Sequence, residues 1–277
     1  MLYLIIATVC FSLSFGLIKD QLSILPAEFV VFCRLFIATL IFLPFLKKFN
    51  LKTHLTAMLI GVFQFGIMYL TFIKAFKYLQ GNEVALLTTT TPVFVAIWSC
   101  FFGEKFKPIY ILCILMSIIG AGIIVWNNLE FDMIVKGIIL MEICNCSFAL
   151  GQVLWKKYIG NETSNLMASA YFGAVLLILP CVIFSIDFSN LIITKPQILS
   201  LLYLAIIPTG IGFWLWNKGA KMVKYSTLAV INNLKIPFGV LFSILIFHEK
   251  IDIINFIIGS MIIVFAIYIL NYYTQKQ

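Results

Sequence analysis

From Leu2 to Tyr272 the chain is a succession of apolar runs, each about twenty residues long, separated by a few charged, proline or glycine positions. A helix of that length spans the roughly 30 Å hydrocarbon core of a bilayer. The runs predict helices near 2–18, 27–46, 54–76, 82–102, 108–126, 134–155, 165–186, 197–217, 225–247 and 252–272. Pro26, Pro108 and Pro196 stand at the starts of three of them, where a missing N–H costs nothing because the first helical turn has no partner for it. With 62% hydrophobic and 11% charged residues, the chain carries more apolar surface than a water-soluble fold of 277 residues can hide. The fold class predicted is an all-α membrane protein of ten transmembrane helices.

The net charge of +8 does not point to nucleic acid, because the basic residues lie in small clusters between apolar runs, as at a membrane surface. All seven cysteines fall within the runs and read as small hydrophobes rather than a disulfide or zinc framework. The N-terminal stretch MLYLIIATVCFSLSFGLIK lacks a basic leader and a small-residue cleavage site, so it is expected to be the first retained span. With the N-terminus in the cytoplasm, cytoplasmic segments hold eleven lysines, among them Lys47, Lys48, Lys105, Lys107, Lys156 and Lys157. The opposite face holds six: Lys19, Lys74, Lys77, Lys136, Lys195 and Lys250. That bias predicts a multi-pass plasma-membrane protein with both termini cytoplasmic.

The two halves share a pattern. Pro92 precedes Glu104-Lys105 and Pro237 precedes Glu249-Lys250 by the same interval, at an offset of 145 residues, and Ser14-Phe15 and Ser147-Phe148 open each half. A five-helix unit repeated once gives ten helices, and an odd unit must insert upside down the second time. The expected domains are residues 1–126 and 134–272, two inverted repeats whose exchange of conformations opens one midplane site to either side.

The stretches FVVFCRLFIATLIFLPF (29–45), ALLTTTTPVFVAIWSCFFGEK (85–105), NCSFALGQVLWKKY (145–158) and 206–250 resemble the drug/metabolite transporter superfamily, in particular its EamA-type members. The resemblance covers essentially the whole chain. It implies ten helices in inverted repeats, a central cavity and alternating-access movement of amino acids, amines, nucleotide-like compounds or other metabolites. The chain departs from the commonest pattern at Lys235, two residues before Pro237, where many relatives carry an apolar or small residue.

Three ionisable residues lie deep in predicted spans: Arg34 in the second, Glu142 in the sixth and Lys235 in the ninth. At roughly 3 kcal/mol each, they cannot face lipid and must turn toward the bundle interior. Glu142, Asn145 and Gln152 share one face of the sixth helix, and Asn232, Lys235, Gly239 and Ser243 one face of the ninth. The expectation is that these stripes line the substrate cavity, with Lys235 attracting a carboxylate or phosphate and Glu142 an amine or a coupling proton. The structural alternative is a permanent Glu142–Lys235 bridge. Arg34 is expected to serve structure or gating.

Pro92 and Pro237 each free the carbonyl four residues back, those of Thr88 and Asn233, as a plain kink or as a hinge. Gln64 near the midplane and Trp214, on a helix with Gly210 and Gly212, complete the expected substrate contacts. Glu104 and Glu249 read as gate or structural elements at helix ends. No metal-ligand cluster and no nucleotide-binding or nucleophile motif is present in the sequence, so no cofactor, metal or catalytic residue is expected.

The function predicted is a secondary transporter of small polar metabolites, amino acids or related amphoteric and anionic compounds, coupled to protons or exchange and working as a monomer or homodimer. The alternatives are an intramembrane enzyme on lipid-linked substrates, a nucleotide-type carrier of the same superfamily, or a membrane scaffold or sensor.

Overall fold

The computed structural model describes residues 1–46, 50–79, 84–85, 87–105, 107–125, 135–159, 163–247 and 252–275. In hydrocarbon, backbone N–H and C=O groups find no water, so each apolar run satisfies them internally as helix. Among the described residues the helical elements group into ten rods. These are α1 (Leu2–Leu22), α2 (Ala27–Phe45), α3 (Leu51–Ala75), α4 (88–101), α5 (Pro108–Val125), α6 (Val135–Tyr158), α7 (Thr163–Ser185), α8 (Lys195–Ala220), α9 (225–247) and α10 (Ile253–Gln275). Six of them, α1, α2, α3, α6, α7 and α8, are each long and apolar enough over their described residues to cross a membrane.

Local chemistry fixes the ends. Pro26 is the N-cap of α2, Pro108 the first residue of α5, and Pro196 lies in the first turn of α8 behind a Thr194/Gln197 capping box. Asn50 caps α3 by accepting from the Thr53 amide at 3.4 Å. Gly103, at φ 96°, ends α4 in the left-handed region, and the Gly103 and Glu104 amides donate to the carbonyls of Cys100 and Ser99.

Several rods depart from regular α-helix: α1 breaks at Leu13 and ends in the π-helical turn Ile18–Leu22, and α3, α4, α8 and α9 carry irregular turns of their own. The α3 and α8 helices each widen into a π-helical stretch, Val62–Ile67 and Ala205–Gly212, before tightening into Met68–Ala75 and Phe213–Ala220. Pro208 explains the second widening, since its ring would clash with the Leu204 carbonyl in a regular turn. The α4 and α9 helices contain 3-10 turns, Thr88–Thr90 and Asn232–Leu234. Met68 and Phe213 are 145 positions apart, and Thr88 and Asn232 are 144 apart.

Rod packing follows the same pairing. The α3 helix packs on α6 and α7, and α8 packs on α1 and α2; α4 packs on α6, and α9 on α1. The pairs α2–α7, α4–α9 and α5–α10 pack on each other directly. Small residues let the backbones close in, as lipid-exposed bundles require. A Cβ on Gly61 would overlap the Ala170 carbonyl between α3 and α7, and one on Gly120 would stand 2.7 Å from the Gly259 carbonyl oxygen between α5 and α10.

The centre is aromatic. Phe213 of α8 is ringed by Phe11, Phe65, Tyr69 and Phe148 at centroid distances of 4.7, 5.0, 5.8 and 5.8 Å. Outward faces carry exposed Leu59, Ile97, Ile119, Phe172, Ile183 and Val264, side chains suited to acyl chains.

Candidate functional site

The rods bring the polar residues of the spans together in several groups. In the first, α2 places Arg34 in the interior with 1% of its surface exposed. Its Nε donates to Thr209 Oγ1 of α8 at 3.1 Å and its Nη2 to the Tyr69 hydroxyl of α3 at 2.9 Å. Tyr69 and Thr209 are themselves 3.0 Å apart, and the Tyr171 hydroxyl of α7 donates to the Thr209 carbonyl. Nη1 of Arg34 is buried without a partner among the described residues. Thr209 lies within the π-helical stretch of α8, so the widened backbone of that helix presents both its hydroxyl and its carbonyl to this group.

Two amide groups lie in the same interior. Gln64, in the π stretch of α3, donates to Asn217 Oδ1 of α8 at 2.7 Å, and its own Oε1 is buried without a partner. Gln152 Oε1 of α6 accepts from Trp216 Nε1 at 3.1 Å and from Asn232 Nδ2 at 3.4 Å, joining α6, α8 and α9.

The group around α4 holds Glu142 and Asn145. Thr90 donates its hydroxyl to the Glu142 carboxylate at 3.1 Å, and Asn145 donates to Thr90 Oγ1 and the Leu87 carbonyl at 2.9 and 2.8 Å. Asn145 Oδ1 lies 3.1 Å from Thr91 Oγ1, so this amide helps to hold the 3-10 turn before Pro92. The carbonyl that Pro92 leaves without its helical partner, that of Thr88, accepts from the Thr91 hydroxyl at 2.8 Å. The matching carbonyl before Pro237, that of Asn233, accepts from the Lys235 amide. Both carbonyls therefore have a local hydrogen-bond donor.

Lys235 is half-buried in α9, and its carbonyl accepts from Ser12 Oγ of α1 at 3.0 Å. Its ammonium and the half-buried Glu142 both lie within electrostatic range of the Cys144 thiol. Among the described residues the ion pair present is Glu28–Lys74, at 2.7 Å. The Glu142–Lys235 bridge expected as the structural alternative is not formed.

Trp214 stands apart from these groups, donating to Ser164 Oγ of α7 at 2.8 Å with the Lys218 ammonium 4.9 Å from its ring. Glu104 is exposed just beyond α4. Glu249 and His248 lie outside the described residues. His54 is buried and 2.6 Å from Ser169 Oγ, and among the described residues there is no His, Cys, Asp and Glu group that holds a metal.

A cavity of about 560 Å³ opens where the start of α2, the end of α3 and the start of α6 meet, on the face opposite Met1 by helix order. In the sequence its lysines bear on topology alone, and Tyr69, Tyr171, Thr209 and Asn217 are unmarked, since only the fold brings them to Arg34 or Gln64.

The EamA-like transporter family matches this chain twice, over residues 1–126 and 135–272. The chain belongs to the EamA-like transporter family. It is a multi-pass membrane transporter of small molecules, not an enzyme. A probable biotin transporter of Pseudomonas aeruginosa is 32% identical over 277 residues, 97% of this chain and 96% of that protein. Biotin transporters of Salmonella typhimurium and Escherichia coli are 33% and 31% identical, each covering 97% of this chain and 92% of their own length. A solved crystal structure superposes on this EamA-like chain with a TM-score of 0.81 at 16% identity, covering 100% of it and 98% of its own length, a likeness of fold.

Proposed function

We propose that this protein is a secondary carrier that takes biotin, or a similar small carboxylate on an apolar body, across the plasma membrane with both termini in the cytoplasm. The observation that carries the substrate class is the Lys235 ammonium, half-buried in mid-span with no carboxylate bridged to it among the described residues. A cation there costs free energy unless it does work on a ligand, and a bound carboxylate provides its counter-charge. The names of the near-full-length relatives narrow that class to biotin. The anionic end of the predicted substrate range is thereby favoured over amino acids.

The carrier mechanism rests on two inverted five-helix domains, residues 1–126 and 134–272. Its support is the shared spacing of the π stretches in α3 and α8, the 3-10 turns in α4 and α9, and the paired rod contacts. Interrupted helices at matching depth let one half rock against the other around a fixed site. In this reading Lys235 holds the carboxylate, Glu142 carries a coupling proton with Thr90 as its hydrogen-bond partner, and Gln64, Asn232 and Asn145 set the polar wall. Arg34, Pro92 and Pro237 shape the moving helices, while Glu104 stands just beyond the end of α4.

The test is uptake of radiolabelled biotin by purified protein in liposomes, with and without an inward proton gradient. Saturable uptake, competed by unlabelled biotin and not by biotinamide, is expected. Saturable transport of an amino acid with no biotin uptake would overturn the substrate assignment.

A further inference from the structure

The cavity at the mouth of α2, α3 and α6 plays no part in the mechanism above, and its lining is chemically lopsided. Three ammonium groups, Lys74, Lys77 and Lys136, surround one carboxylate, Glu28. The remaining wall is apolar or aromatic, from Tyr78, Ile139 and Leu140. Glu28 is bound to Lys74 at 2.7 Å, and it also feels the charge of Lys77. One cation is thus compensated, while Lys77 and Lys136 are exposed. A volume of about 560 Å³ falls in the range of small-molecule sites. Ile139 precedes Glu142 by three residues on α6, so the wall of the cavity ends one helical turn from the deep carboxylate.

We infer that this cavity is a capture site for small carboxylates with an apolar body, where Lys77 and Lys136 hold the carboxylate and Tyr78, Ile139 and Leu140 hold the body before it moves inward. The inference rests on the proposed carboxylate substrate for its biological ligand. A cleft of one sign of charge with low-dielectric walls raises the local concentration of the opposite ion, and the effect falls with salt. The Glu28–Lys74 pair sets the strength, since Glu28 subtracts one charge from the site.

The experiment is biotin uptake at low ionic strength into phosphatidylcholine liposomes that present this face outward. In the double variant Lys77→Gln/Lys136→Gln, KM is expected to rise about five-fold with turnover unchanged, and the salt dependence of KM to flatten. In Glu28→Gln, which releases Lys74, KM is expected to fall about two-fold. An anionic lipid headgroup offers the same chemistry, so the series is repeated in phosphatidylglycerol liposomes. An effect of the double variant seen only there assigns the lysines to lipid and overturns the inference, as does an unchanged KM in phosphatidylcholine.

A second arm does not depend on transport. A cysteine placed by Tyr78→Cys is titrated with anionic and neutral methanethiosulfonate reagents, against the unsubstituted protein as background. The anionic reagent is expected to react about five-fold faster relative to the neutral one than in the Lys77→Gln/Lys136→Gln background. Equal ratios overturn the capture site, whereas the expected ratios together with absent biotin uptake overturn only the proposed substrate.

Discussion

Arg34 and Tyr69 meet twice: the guanidinium donates to the phenol oxygen at 2.9 Å, and its carbon stands 4.1 Å from the centre of the same ring. A cation sealed in the bundle, with no carboxylate paired to it among the described residues, is thus held by neutral oxygens and a π face. Tyr69→Phe keeps the ring and removes the acceptor, leaving Nη2 short of a partner beside the already unpartnered Nη1. A loss of about 1–3 kcal/mol in stability is expected, read as a lower thermal midpoint in detergent. Arg34→Lys is expected to be worse, because an ammonium cannot reach Thr209 and Tyr69 in one planar fork.

Lys235 is the residue on which the substrate class turns. Lys235→Gln removes the charge while leaving the backbone carbonyl that accepts from Ser12. Folding is expected to persist, with KM for biotin raised about ten-fold or more, the worth of a charge-assisted hydrogen bond. Lys235→Arg is expected to recover part of that affinity. Loss of the folded protein in Lys235→Gln, rescued by a second Glu142→Gln change, would instead mark the two as a structural pair.

Glu142→Gln is the uncharged mimic of the protonated carrier. Glutamine still accepts from Thr90, so the α4–α6 contact is expected to survive. Uptake driven by an inward proton gradient is expected to fall to the rate without one, while biotin exchange across the membrane continues. Retention of full gradient-driven uptake in this variant would remove Glu142 from coupling.

The rods were legible in the sequence because bilayer thickness dictates the length of an apolar run, and prolines and glycines punctuate it. Pro26, Pro108 and Pro196 stand where they were expected, at the starts of α2, α5 and α8. The π stretches were not legible, since a helix apolar on every face gives no periodic contrast to mark an extra residue in a turn. Pro208 was the one signal for that in α8. Within the interior, charged residues announced themselves and their partners did not. Arg34 stood out by cost, whereas Tyr69 and Thr209 belong to residue types that spans tolerate singly. The capture cavity needed three rods to converge, and no spacing along the chain records that Lys74, Lys77 and Lys136 face one volume.

The close crossings make a last prediction that separates two glycine contacts. Gly151 of α6 meets α3, and Gly219 of α8 meets α1. A Cβ on Gly151 would stand 2.6 Å from Gln64 Cα and 2.8 Å from its backbone nitrogen, atoms that cannot move without shifting the π stretch of α3. A Cβ on Gly219 would meet Leu4 Cγ at 2.9 Å, Leu4 Cδ2 at 3.0 Å and Tyr3 Cβ at 3.1 Å, side-chain atoms rather than backbone. Gly151→Ala is therefore expected to cost about 1–3 kcal/mol and to disturb the Gln64–Asn217 hydrogen bond, with lowered thermal midpoint and lowered transport. Gly219→Ala is expected to cost well under half as much. Comparable midpoints for the two variants would show that backbone approach at α3–α6 does not hold Gln64 in place, and the polar wall assigned to that amide would need another anchor.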